Sequence, residues 1–198
     1  MEGIMMSSGD DPKAPLPHVA MHAPPQAVFL DRDGTLIEHV PYLRDPADVV
    51  VRRGTREALA RLQAAAAKLF LFTNQSGVSR GLFGMAEVEA VNRRMVELLD
   101  LGAGLFTAIC VAPELPDEVP VYRKPSPRFI QEMLATHGVA REHAWMVGDS
   151  PVDWEAGINA GVRVAAIVPD PASPKAPERR QELGISAYPT LREWVDGL

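Results

Sequence analysis

AVFLDRDGTLIEHV, residues 27–40, begins as an apolar run and then sets Asp31, Arg32 and Asp33 directly behind it. In an extended segment alternate side chains share a face, so Asp31 and Asp33 are expected to face one pocket and Arg32 to point away. Gly34 then lets the chain turn. Two carboxylates this close repel each other unless a cation or a shared proton intervenes, which suggests a bound metal or an acid/base couple. Taken alone, the stretch reads equally well as an Asp-Gly turn with surface charges, so the rest of the chain must decide.

Apolar runs recur with helical patterns between them. AVFL (27–30) is followed by a helix expected over Thr55–Lys68, LFLFT (69–73), a helix over Met85–Leu101 and LFTAICV (105–111). A helix over Pro127–His137, AWMVG (144–148), a helix over Val152–Ala160, VRVAAIV (162–168) and a last helix near 190–197 complete the series. Strands apolar on both faces, alternating with helices, predict an α/β fold: a doubly wound, Rossmann-like parallel sheet with helices on both faces. The stretch from Leu36 to Thr55 is too short for a large cap domain. PDPASPKAPERR (169–180) reads as a surface loop.

Ligands of such sheets bind at the carboxyl ends of the strands, which singles out four segments: DRDGT, TNQSG, YRKP and GDSPVD. Asp149 follows a strand and opens a helix, with Asp153 one turn further on. It either caps that helix or joins the first pair in an oxygen-ligand site suited to Mg²⁺. Thr73, Asn74, Gln75 and Ser76 bring hydroxyl and amide groups to the same edge. Lys124, in a proline-stiffened loop, is a compact cation able to neutralise a phosphoryl oxygen.

Composition narrows the setting. The 198 residues are 46% hydrophobic, with a formal net charge of −6, which gives no global basic footprint for nucleic acid or anionic membrane. Cys110 is the only cysteine, so neither an internal disulfide nor a multi-thiolate zinc site can form. No run approaches the roughly 20 apolar residues that span a bilayer. A soluble, cytoplasmic protein is expected, with residues 1–25 as a disordered tail and residues 26–198 as one domain.

In order, the four segments resemble the motifs of the haloacid dehalogenase superfamily of phosphohydrolases. The resemblance implies that Asp31 is a nucleophile forming an aspartyl-phosphate and that Asp33 is the acid and base. It implies that Thr73, Asn74 and Lys124 hold the phosphoryl group, that Asp31, the Asp33 carbonyl and Asp149 hold Mg²⁺, and that Asp153 supports them. The details DRDGTL, PYLRDPADV, TNQSGVSRG and YRKP are similar to the branch of the heptose bisphosphate phosphatases and histidinol phosphatases. That similarity implies substrate contacts from Tyr42, Gln75, Ser76, Arg123 and Ser150. The substrate it favours is D-glycero-D-manno-heptose 1,7-bisphosphate, losing its 7-phosphate, with histidinol phosphate as the alternative. His39 is expected to border the substrate. The branch's zinc loop has lost three of its four ligands here, so no zinc is expected, and Cys110 reads as a packing residue. A polynucleotide 3′-phosphatase shares the TNQxG and YRKP segments, but the acidic loop ELPDEV (114–119) would repel a nucleic-acid backbone. A phosphosugar-binding pseudoenzyme would not need Asp33. A monomer acting on a small phosphorylated molecule is expected.

Overall fold

The computed structural model describes residues 24–168 and 175–198; most of the expected tail, residues 1–23, lies outside them. Six parallel strands form one sheet in the order β3-β2-β1-β4-β5-β6. They are β1 (Ala27–Leu30), β2 (Lys68–Asn74), β3 (Ala108–Ala112), β4 (Ala144–Gly148), β5 (Arg163–Ile167) and β6 (Ala187–Tyr188). β1 lies at the centre, with Leu30 opposite Leu71 of β2 on one side and Val147 of β4 on the other. All four residues of β1 are fully buried, as an apolar run covered on both faces requires.

The helices are α1 (Thr55–Ala64), α2 (Met85–Leu99), α3 (Arg128–His137), α4 (Pro151–Ala160), α5 (Pro177–Glu182) and α6 (Leu191–Asp196). Strand alternation sorts the core into two layers. Val28, Leu30, Leu69, Leu71 and Val147 pack with Leu59 and Leu62 of α1, Val91 and Met95 of α2, and Leu191 and Trp194 of α6. Phe29, Phe70, Phe72 and Met146 face the other way, onto Phe129 and Ile130 of α3 and Ala156 of α4. The Phe29 and Phe70 rings stack at 4.7 Å, and Phe129 meets Phe29 edge-on, an arrangement favoured by the ring quadrupoles. Between β1 and α1 there is only a 3-10 turn (Pro46–Asp48) and two isolated bridges, so among the described residues no large cap is inserted between these two elements. Among the described residues no helix is long and apolar enough to cross a membrane.

Several boundaries differ from the sequence expectation. α1 ends at Ala64, four residues early, although alanine is the strongest helix former. Ala66 instead takes a left-handed φ of 59°, and the chain turns there to enter β2. α2 stops at Leu99 because Asp100 is left-handed at its C-cap, and β3 starts at Ala108 rather than Leu105. The segment read as a surface loop over 169–180 carries the start of α5, and the two-residue β6 was not expected at all.

Candidate active site

The strand order reverses direction between β1 and β4, the switch point at which open α/β sheets bind ligands. A cavity of about 400 Å³ opens there. The Asp31 N–H still donates to Val147 O at 3.0 Å, so its side chain is held at the rim by the last rung of the sheet. Gly34 has φ +89°, and a Cβ on it would lie 2.1 Å from Asp149 Oδ2. Glycine thus allows the turn after β1 to pack directly on the carboxylate after β4. Gly148 does the same for Asp153, whose side chain a Cβ there would meet at 2.4 Å. Asp153 Oδ2 in turn accepts from the Ser150 N–H and hydroxyl, at 3.0 and 2.6 Å, closing a capping box at the start of α4.

Lys124 is the centre of charge. Its Nζ lies 2.6 Å from Asp31 Oδ1, 2.5 Å from Asp153 Oδ1 and 2.8 Å from Phe72 O, with the side chain 2% exposed. Its main chain is held by the Asn74 amide, which donates to Lys124 O at 3.1 Å and accepts from Lys124 N at 3.0 Å. Burial alone would lower the lysine's proton affinity, but the Asp153 and Asp31 charges outweigh it and leave the pKa raised. Burial pushes the Asp31 carboxyl well above the usual range; Asp153, Asp149 and Asp33 add to this and Lys124 opposes it. Asp149 is also raised by burial, against the opposing pull of a hydrogen bond from Lys175 at 2.5 Å.

Asp31, Asp149 and Asp153 each bring a carboxylate oxygen within 4.8 Å of the others. So many buried carboxylates call for cationic charge. Asp153 is already committed to Lys124 and Ser150, which leaves Asp31 and Asp149 as the pair best able to bind a metal. Hard oxygen donors of this number suit Mg²⁺.

The sequence-predicted residues fall into groups. Asp31, Asp33, Asn74, Gln75, Ser76, Lys124, Asp149, Ser150, Asp153, His39 and Tyr42 all line the cavity. Thr73 and Arg123 are not among its lining residues. The Thr73 hydroxyl is buried beside Gln75, accepting from its amide at 2.8 Å, and the Arg123 guanidinium donates to Glu114 O at 3.1 Å. Cys110 sits on the edge strand, its thiol pushed up to about 12 by burial and the nearby Glu114 charge, which makes it a poor nucleophile or metal ligand.

Two residues of the site escaped the sequence reading. Arg32 does not simply point away from the pocket. It is fully buried and folds back so that Nε and Nη2 reach Asp33 Oδ2 at 3.1 and 3.0 Å, because a long side chain is not bound to the direction of its Cβ. Lys175 comes from the supposed surface loop and reaches Asp149; the only hint in the sequence was a lysine among prolines.

The close approach at Gly34 leads to a prediction. Gly34→Ala must both hold a left-handed φ and displace Asp149, so a cost of about 1–3 kcal/mol in stability and a fall in turnover on the order of 100-fold are expected. Thermal unfolding and kcat/KM of the variant measure both. Wild-type values for either would show that the contact tolerates a methyl group.

A family model described as haloacid dehalogenase-like hydrolase matches residues 88–167. The D-glycero-beta-D-manno-heptose-1,7-bisphosphate 7-phosphatase of Helicobacter pylori is 34% identical over 140 residues, covering 70% of this chain and 80% of that protein. The Mesorhizobium japonicum protein of the same name is 35% identical over 144 residues, covering 69% and 66%. The crystal structure of the D,D-heptose 1,7-bisphosphate phosphatase of B. bronchiseptica, complexed with magnesium and phosphate, matches with a TM-score of 0.75 at 26% identity, covering 86% of this chain and 96% of that one. With these relatives, a switch-point cavity built on paired aspartates and a buried lysine makes the chain a phosphoric monoester hydrolase. It belongs to the haloacid dehalogenase-like hydrolase family.

Proposed function

We propose that the protein is a Mg²⁺-dependent phosphomonoesterase that removes the 7-phosphate of D-glycero-D-manno-heptose 1,7-bisphosphate, working as a cytoplasmic monomer whose residues 26–198 form one domain. The observation that carries this reading is Lys124, held between Asp31 and Asp153 at 2.6 and 2.5 Å at the switch point of the sheet. A buried cation against a rim carboxylate is what an in-line attack on a phosphoryl group needs.

An Asp31 carboxylate oxygen attacks phosphorus, and the P–O bond to the sugar breaks. The departing oxygen takes a proton from Asp33. Asp33 then takes a proton from the water whose oxygen attacks the aspartyl-phosphate, so that phosphate leaves and Asp31 is restored. Lys124 neutralises phosphoryl oxygen charge throughout, Asn74 keeps the lysine in place, and the buried Thr73 hydroxyl holds the Gln75 amide by accepting from it. Asp31, the Asp33 carbonyl and Asp149 would hold Mg²⁺, which when bound adds positive charge against the phosphoryl oxygens. Tyr42, Gln75, Ser76 and Ser150 contact the sugar, and Arg123 offers a two-pronged donor to the second phosphate. The heptose substrate is supported by the names of the relatives above.

The test is a comparison of kcat/KM on heptose bisphosphates, histidinol phosphate and 3′-phosphorylated oligonucleotides, with Mg²⁺ and after chelation. A preference for the heptose of at least about 100-fold is expected, with turnover lost on chelation and restored by Mg²⁺. Equal rates across the panel would remove the substrate assignment; undiminished turnover in chelator would remove the metal.

A further inference from the structure

The carboxylate of Asp33 is unevenly supplied with donors. Oδ2 receives Arg32 Nε at 3.1 Å, Arg32 Nη2 at 3.0 Å and Gln75 Nε2 at 2.9 Å. Oδ1 is shielded from solvent yet accepts no hydrogen bond from any described residue. On its far side the Arg32 guanidinium donates through Nη1 to Asn92 Oδ1 at 2.9 Å, a contact that spans 60 positions of sequence and reaches α2. Asn92 is itself 5% exposed, on the helix face that packs against the sheet.

Burying a guanidinium costs several kcal/mol unless its hydrogen bonds are met, and an apolar side chain would fill the same space without that cost. The arrangement therefore calls for an explanation beyond packing. Rotation of a carboxylate about χ2 is soft and roughly two-fold, so nothing intrinsic to an aspartate decides which oxygen faces a substrate. Three donors on Oδ2 fix that rotation here.

We propose that Asn92 is a positioning residue for proton transfer: it fixes the Arg32 guanidinium, which with Gln75 holds Asp33 Oδ2 and so sets the orientation in which the Asp33 carboxyl exchanges protons. The proposal rests on the reading of Asp33 as acid and base. In the first step the O–H bond of the Asp33 carboxyl breaks and its proton goes to the sugar oxygen, which keeps the electron pair of the breaking P–O bond. In the second, the attacking water returns a proton to the Asp33 carboxylate as its oxygen bonds to phosphorus. Asn92 touches neither substrate nor reacting atoms and acts only through Arg32.

The consequence is a dependence on the leaving group that a merely structural residue would not produce. An alkyl phosphate needs a proton on its departing oxygen, whereas p-nitrophenyl phosphate releases a stable anion without one. In Asn92→Leu, which keeps the γ-branched shape but cannot accept, kcat/KM for a sugar phosphate is expected to fall about tenfold or more, a part of the 10²–10⁴ that general acids contribute. The fall for p-nitrophenyl phosphate is expected to be several times smaller. Asn92→Asp keeps an acceptor oxygen and should restore most of the sugar-phosphate rate. Asn92→Ala provides the same comparison should the leucine variant fail to fold, and the thermal midpoint of each variant is measured alongside. Equal losses on both substrates, or no loss on either, would overturn the positioning role. Asp33→Asn separates the two readings: if it shows no leaving-group dependence, Asp33 is not the acid. If it shows a steep one that the Asn92 variants lack, only the proposal for Asn92 falls.

Discussion

Asp31→Asn is expected to lower turnover on the order of 10⁴-fold or more, the scale on which removal of a covalent nucleophile acts, while the fold survives. The amide cannot attack phosphorus, but Lys124 keeps Asp153 at 2.5 Å and Phe72 O at 2.8 Å as partners. In chelator the variant should be at least as stable as the parent at neutral pH. The sign follows from the raised proton affinity of Asp31: with a folded pKa above the unfolded one, its ionised form costs stability, and asparagine removes that cost. The advantage should shrink as the pH falls through the raised folded value and vanish below the ordinary aspartate value of about 3.9, where Asp31 is neutral in both states. Phosphate release at wild-type rates would exclude Asp31 as nucleophile, and a collapsed thermal midpoint would show that the carboxylate is structural.

Lys124→Met is expected to fail in both respects. It removes the charge that faces the phosphoryl group, for a loss in kcat of about 10²–10³-fold. It also strands Asp31 and Asp153, and removing one partner of a buried ion pair costs about 3–5 kcal/mol. Because the folded pKa of Lys124 lies above its ordinary value, its stabilisation is fully present below pH about 10.4 and is lost only as pH rises through the higher folded value. The gap between parent and variant in urea unfolding should therefore be constant from pH 7 to 10. A gap that closes in that interval would mean that the lysine is not held by these carboxylates.

The sheet was legible in the sequence because strands buried on both faces must be apolar throughout, and Ala27–Leu30 and Ala144–Gly148 are. The polar residues behind those runs were legible for the same reason, since chain direction places Asp31, Thr73, Lys124 and Asp149 at one edge. What stayed hidden depends on tertiary contact. Ala64–Ala67 has strong helix propensity, yet the chain leaves the helix there to reach β2. Alternation set Arg32 apart from Asp31 and Asp33, but it could not show that Arg32 also lines the cavity and that its guanidinium reaches Asp33 with Asn92 of α2 beside it. Lys175 was hidden by its proline-rich surroundings. Its role shows only when the segment is placed against Asp149.

The pairing of β1 with β4 also bears on how the protein is made. Lys124 lies 93 positions beyond Asp31, and Asp149 later still, so the charges that compensate the first carboxylate emerge from the ribosome long after it. Contacts of such sequence separation close slowly and favour late assembly. A nascent chain that holds only β1 to β3 carries Asp31 and Asp33 without Lys124, Asp149 or Asp153, and is expected to hydrolyse nothing. Catalytic competence should therefore appear late in refolding, in step with the docking of β4 onto β1 rather than with the first gain of helix.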